Sequence, residues 1–237
     1  MKNEVKNEVK TIIITGASDG LGKALAELCI ANKMHVVNIS RRPLIIKGAT
    51  NIPCDLANEQ DIIKAAKEIQ DKYSNFSALV NCAGIITFEE ANKNTYPEIE
   101  KVIKVNTLAP IFLTSQLFDL IKQNEADVLN VGSTSGTKGS KLGTIYGTSK
   151  WALRGASENL RLELGHTSCR VIQFNPGGME TNLFKKCHGK DFDNPKEWMS
   201  PQEIAKIMFF ILNLPKQIEI SEIIINRKSA ARGAHRA

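Results

Sequence analysis

The stretch KTIIITGASDGLG, residues 10–22, constrains the fold more than any other part of the chain. An apolar run of the kind that a strand buried on both faces requires ends at Gly16. Helical spacing takes over at once, with Ala24, Leu25, Leu28 and Cys29 on one side. A second apolar run, MHVVNIS, follows at residues 34–40. Strands that alternate with helices in this way imply right-handed βαβ units and a parallel sheet. The turn itself carries Gly16, Gly20 and Gly22, with Ser18 and Leu21 between them. Glycines here serve a tight turn, close approach of backbone to a ligand, and close packing of helix on strand. The helix start adds free N–H groups and a positive dipole end, which suits a pyrophosphate.

The same alternation continues along the chain. ATNIPCDL holds a third strand, and NEQDIIKAAKEIQDKY is an amphipathic helix with Asn58 as its N-cap. SALVNCAG is a fourth strand, followed by helical segments over about 95–104 and 106–123. ADVLNVGS is a fifth strand, residues 146–165 a long helix, and CRVIQFNPGG a sixth strand ending in a Pro-Gly turn. Residues 178–200 show no clear period; a helix over about 201–213 and the strand EIIIN close the pattern. The expectation is an α/β, single-domain, doubly wound Rossmann fold with a seven-stranded parallel sheet. That domain spans residues 10–227, between a flexible leader (1–9) and a flexible tail (228–237). Ligands of such a sheet gather at the carboxyl ends of its strands.

Composition narrows the classes. The net charge of +6 hints at nucleic acid, but Arg227, Lys228, Arg232 and Arg236 supply four of those charges at the chain end, and without them +2 remains. No nucleic-acid partner is expected. No apolar run is long enough to cross a bilayer, and the charged start MKNEVKNEVK lacks the apolar core of a secretory signal. A cytoplasmic protein without a membrane partner is expected. The five cysteines include no CxxC pair, which argues against disulfides and a metal site.

The glycine pattern GxxxGxG, NCAG at 81–84 and Tyr146-xxx-Lys150, in that order, resemble the short-chain dehydrogenase/reductase family. The resemblance covers nearly all of residues 10–226. It implies a nicotinamide cofactor and a hydride passed between that cofactor and a carbonyl/alcohol pair. By resemblance, Tyr146 is the general acid/base, Lys150 assists it, Ser133 orients the carbonyl oxygen and Asn106 holds a water of the proton relay. Ser135 is a second hydroxyl near Ser133. Physical chemistry supports the pair independently. A phenol ionises near ~10, and a cation one helical turn away stabilises its anion and brings it toward working pH. The small residues Gly147, Thr148 and Ser149 would leave room for the cofactor along that face. NCAG departs from the family's more usual NNAG, with Cys82 in place of an asparagine. Asn81, Ala83 and Gly84 remain as cofactor-side residues. Pro176 and Gly177 match the turn that passes the nicotinamide, and Thr181 a downstream cofactor contact.

The end of the second strand discriminates between cofactors. NAD sites put an acid there. Here Ser40, Arg41 and Arg42 follow, and a guanidinium favours a 2′-phosphate. The reading is NADP(H), with Arg41 the leading contact. Asp55, with Leu56 beside it, matches the family residue that meets the adenine amino group. Residues 178–200 are expected to form a substrate lid with Met179, Leu183, Phe184, Phe192 and Trp198. Lys185 and Lys186 raise the alternative of a 3-oxoacyl-carrier-protein reductase-like enzyme that meets an acidic carrier. A non-catalytic NADP(H)-binding sensor or scaffold is the reading from another class. A homodimer or homotetramer is expected, through helices 106–123 and 146–165, with Ile111, Phe112, Ser115, Leu153, Ser157 and Leu160 as contact candidates.

Overall fold

The computed structural model describes residues 9–188 and 198–228. The expected leader, tail and Phe192 fall wholly or mostly outside those residues. Seven parallel strands form one sheet: β1 (Thr11–Thr15), β2 (His35–Ser40), β3 (Ala49–Pro53), β4 (Ala78–Asn81), β5 (Asp127–Val131), β6 (Val171–Pro176) and β7 (Glu222–Ile225). Their spatial order is β3-β2-β1-β4-β5-β6-β7. The chain winds outward from β1 to β3, then α2 (Glu59–Lys72) carries it back across to β4. Connections therefore leave β1 and β4 in opposite directions, and their carboxyl ends open a crevice.

Period-two alternation along the strands feeds two cores. Ile13, Val37, Leu79, Val128 and Val171 face α2, α4 (Ala109–Gln116) and α5 (Phe118–Gln123). Ile12, Ile14, Val36, Val80 and Phe174 face α1 (Gly20–Ala31) and α8 (Pro201–Leu212). Burial on both faces explains why these strands read as continuous apolar runs. Asn58 caps α2 as expected, accepting from the N–H groups of Gln60 and Asp61.

Three local features differ from the sequence expectation. The boundary expected near residue 105 is no break: α3 (Tyr96–Ile103) runs through a π-turn at Lys104–Leu108 into α4. Pro110 has no N–H to give, so the regular helical ladder cannot be kept there. The aperiodic segment contains a short helix, α7 (Asn182–His188), too short to show a period. Finally, Leu153 and Ser157 on α6 (Thr144–Leu164) are buried in the home domain and are not available as contacts between copies. Ile111 and Ser115 are exposed, joined by Leu108 and Trp151.

Candidate active site

A cleft of about 520 Å³ runs along the carboxyl ends of the strands, from the β1–α1 turn to α7. At one end lies the glycine turn. Gly16 has φ +74°, and a Cβ there would stand 2.9 Å from the Ala83 backbone. A Cβ on Gly22 would stand 2.5 Å from the Gly16 carbonyl oxygen. Both positions therefore exclude side chains, which brings β1, α1 and the NCAG loop together. Thr15 fastens that loop: its Oγ1 accepts from the N–H groups of Cys82 at 3.0 Å and Ala83 at 3.1 Å.

Most of the expected cofactor residues line this cleft. Gly16, Ser18, Gly20, Leu21 and Gly22 come from the first turn, and Ser40, Arg41 and Arg42 from the end of β2. Asp55 and Leu56 follow β3, Ala83 and Gly84 follow β4, Pro176 ends β6, and Gly177 and Thr181 follow it. Asn81 is the exception. Its side chain turns into the sheet, donating to Asn130 at 2.8 Å and Thr114 at 3.3 Å.

Asp19 has no place in the sequence reading, although it lies inside the glycine stretch. Its side chain caps α1 by accepting from the Gly20 N–H at 2.9 Å. It also takes Arg42 at 3.1 Å, Lys186 at 2.8 Å and Asn182 at 3.2 Å. Burial alone would raise its pKa. The hydrogen bonds from Lys186 and Arg42 outweigh that and lower it to about 2. Of the two arginines, Arg42 is thus paired with Asp19 while its side chain stays exposed. An acid directly before a glycine at a helix start is an N-cap signal, and could have been found.

At the other end, Ser133, Tyr146 and Lys150 line the cleft together. Ser133 faces Tyr146 closely enough to favour its phenolate, and the Ser133 oxygen accepts from the Ser135 N–H at 3.1 Å. Lys150 Nζ stands 5.9 Å from the Tyr146 ring centre and donates to the Val131 carbonyl at 2.8 Å. Tyr146 is 7% exposed and Lys150 4%. Burial opposes ionisation at both members of the pair. Burial pushes the tyrosine up from its usual value despite the Ser133 contact. Burial also lowers the lysine to about 8. Desolvation disfavours both charged forms and outweighs the mutual help the spacing suggested.

Asn106 sits behind the pair. Its Oδ1 accepts from the Ile85 N–H at 2.9 Å, and its Nδ2 donates to the Ile85 carbonyl at 2.8 Å and Ser149 Oγ at 3.0 Å. The π-turn sets Asn106 to face both strand loop and helix. The small residues between Tyr146 and Lys150 also meet neighbouring parts of the chain. A Cβ on Gly147 would lie 3.4 Å from the Ser135 carbonyl, and Ser149 is fully buried against Asn106. Of the three, Gly147 and Ser149 are buried, while Thr148 is exposed. Cys82 lines the cleft as a neutral thiol, its pKa pushed up to about 12 by burial. Phe88, Phe184 and Trp198 form an aromatic wall, with ring centres 5.6 and 4.6 Å apart.

Comparison with known proteins bears on the whole domain. The family model described as short chain dehydrogenase matches residues 10–191. An uncharacterized oxidoreductase of Staphylococcus aureus is 24% identical over 226 residues, covering 91% of this chain and 96% of its own. An alcohol dehydrogenase of the archaeon Thermococcus sibiricus, complexed with 5-hydroxy-NADP, superposes with a TM-score of 0.84 at 22% identity. That match covers 93% of this chain and 97% of the other, and speaks to the fold. An oxidoreductase of the same family from Brucella ovis, with a partially ordered NAD, gives a TM-score of 0.76 at 28% identity. It covers 92% of this chain and all of its own.

Proposed function

The chain belongs to the short chain dehydrogenase family, and on that premise we propose that it is an NADP(H)-dependent reductase of apolar ketones or aldehydes. The carrying observation is the convergence of Ser133, Tyr146 and Lys150, buried and adjacent, at one end of a glycine-floored cleft. The residues present fit a dinucleotide. The close-packed turn at Gly16 and Gly22 leaves backbone N–H groups and the start of α1 for the pyrophosphate. Arg41 lines the far end with its guanidinium exposed, ready for a 2′-phosphate. Asp55, which lines the same cleft, would hold the adenine amino group.

When bound, the nicotinamide would supply or accept the hydride at the substrate's carbonyl carbon. The chain's own groups handle the oxygen. Ser133 donates a hydrogen bond that orients it, and Tyr146, kept protonated by burial, gives it a proton. Lys150, lowered to about 8, holds a proton that leaves readily near neutral pH. Its ammonium steadies the tyrosine as the phenol loses its own. Asn106 braces the loop at Ile85 beside it.

The aromatic wall of Phe88, Phe184 and Trp198 supports an apolar substrate. Of the two lysines behind the carrier-protein alternative, Lys186 is paired with Asp19. The sensor reading has no damaged catalytic position to rest on. Five unpaired cysteines suit a reducing compartment such as the cytoplasm.

The test is titration of the protein with NADPH and NADH, then loss of NADPH absorbance over a panel of carbonyls. NADPH should bind more tightly, and a Ser40→Asp/Arg41→Ala double variant should move preference toward NADH. Equal affinities in the wild type would remove the NADP assignment. No turnover across the panel would return the sensor reading.

A further inference from the structure

A file of polar side chains crosses the buried sheet beneath the cleft. Arg154 grips Glu222 with two bonds, 2.7 and 2.8 Å. A carboxylate can only accept, so Asn175 must present its Nδ2 to Glu222, at 2.7 Å. Its Oδ1 then accepts from Gln173 Nε2 at 2.7 Å. Gln173 Oε1 in turn takes the Ser157 hydroxyl proton at 2.7 Å, and Ser157 Oγ accepts from Asn130 Nδ2 at 2.9 Å. Asn130 Oδ1 finally accepts from Asn81 Nδ2 at 2.8 Å. Every amide orientation follows from the charge at Glu222, and no member can be turned over alone. The far end is fixed by elimination: Asn81 must present its Oδ1 outward, as an acceptor.

Asn81 is 3% exposed, and its Oδ1 is the one buried side-chain polar atom without a partner among the described residues. It belongs to the wall of a small cavity, with Thr15, Leu56, Ala83, Val105, Ala109 and Pro110. The cavity leaves about 10 Å³ for the centre of a water-sized sphere, which is room for one molecule. Two more groups on this wall call for a partner. Thr15 Oγ1 already accepts two backbone N–H groups, so its proton must be given elsewhere. Val105 lies five residues before Pro110, which has no N–H for that carbonyl in the π-turn.

We infer that this cavity is a binding site for a single water molecule, held between the end of the sheet and the π-turn that carries Asn106. The water accepts from the Thr15 hydroxyl and donates to Asn81 Oδ1 and the Val105 carbonyl. All three groups are then satisfied by one ligand, and the file of side chains ends on a donor as its direction demands. The inference stands apart from the catalytic reading, since it needs neither cofactor nor turnover.

A high-resolution crystal structure of the full chain tests it directly. A density peak within hydrogen-bonding distance of both Asn81 Oδ1 and Thr15 Oγ1 is expected. A cavity without such a peak, or an Asn81 turned to another donor, would overturn the site. A pair of variants gives an independent reading. Ala109→Val fills the cavity and expels the water, so the melting midpoint should fall by roughly 3–10 °C. Ala109→Ser brings its own hydroxyl and should keep most of the wild-type midpoint. If Ala109→Val instead raised the midpoint, the space would be dry and merely underpacked, and the inference would fail. Should that variant not fold, the crystallographic result on the wild type decides alone.

Discussion

At Tyr146 the proposed chemistry rests on one hydroxyl beside an open cleft. Replacing it with Phe keeps the ring and the packing, so folding and NADPH binding should persist. Turnover should drop by roughly 10²–10⁴-fold, the share of a general acid–base. A folded Tyr146→Phe protein that kept most of its rate would make the pair structural. Lys150 carries a pH signature as well. Its folded pKa is about 8 against 10.5 when unfolded. Between those values the unfolded chain binds more protons, so stability rises with pH as the buried charge is released. The cost of burying the ammonium is full below pH 8. Unfolding of Lys150→Met compared with wild type should therefore show a difference favouring the variant that shrinks from pH 8 to 10.5. A difference independent of pH would show that the lysine is not desolvated as described. The spacing of Tyr146 and Lys150 was legible in the sequence, because residues four apart on a helix share a face. The sign of their pKa shifts was not, because burial comes from distant parts of the chain such as the β4 and β5 ends.

Among the elements, the most revealing junction is where α1, α7 and the end of β2 meet on Asp19. Asp19→Ala removes a helix cap and three side-chain partners together. Exposed ion pairs contribute little, so most of the loss, about 0.5–2 kcal/mol, comes from the cap. Amide exchange over 182–188 should also quicken, since α7 loses its tie to the glycine turn. The stabilising effect of Asp19 is present above pH 3.8 and lost as pH falls toward 2, so wild type and variant should converge there. Unchanged exchange in α7 would show that other contacts hold it. The strands and the long helices were legible, since two-sided burial and a regular period leave marks in the residue order. The π-turn and α7 were not. The first arises from a proline read as an ordinary helix residue, and the second spans too few residues for a period. Asn81 was assigned to the cofactor side by resemblance, and only the pairing of β4 with β5 reveals that its amide faces Asn130.

For the molecule as a whole, Leu108, Ile111 and Trp151 leave apolar area exposed on α4, α6 and the turn before α4. We expect a homo-oligomer through this face, with light scattering at micromolar concentration giving at least the mass of a dimer. A monomer would contradict it, and Trp151→Glu should shift the assembly toward monomer. The sheet order has a consequence in time as well as in space. β1 lies inside the sheet, between β2 and β4, and is made before β4, so it must wait for that strand before both its edges are paired. Glu222, which dictates the orientation of every amide in the buried file, is made after all the residues it governs. While the nascent chain is shorter than that, Asn175 and Arg154 lack their acceptor, and the floor beneath Ser133 has no fixed polarity. Fixed polarity in the buried file is thus acquired only once β7 has been made and has paired with β6.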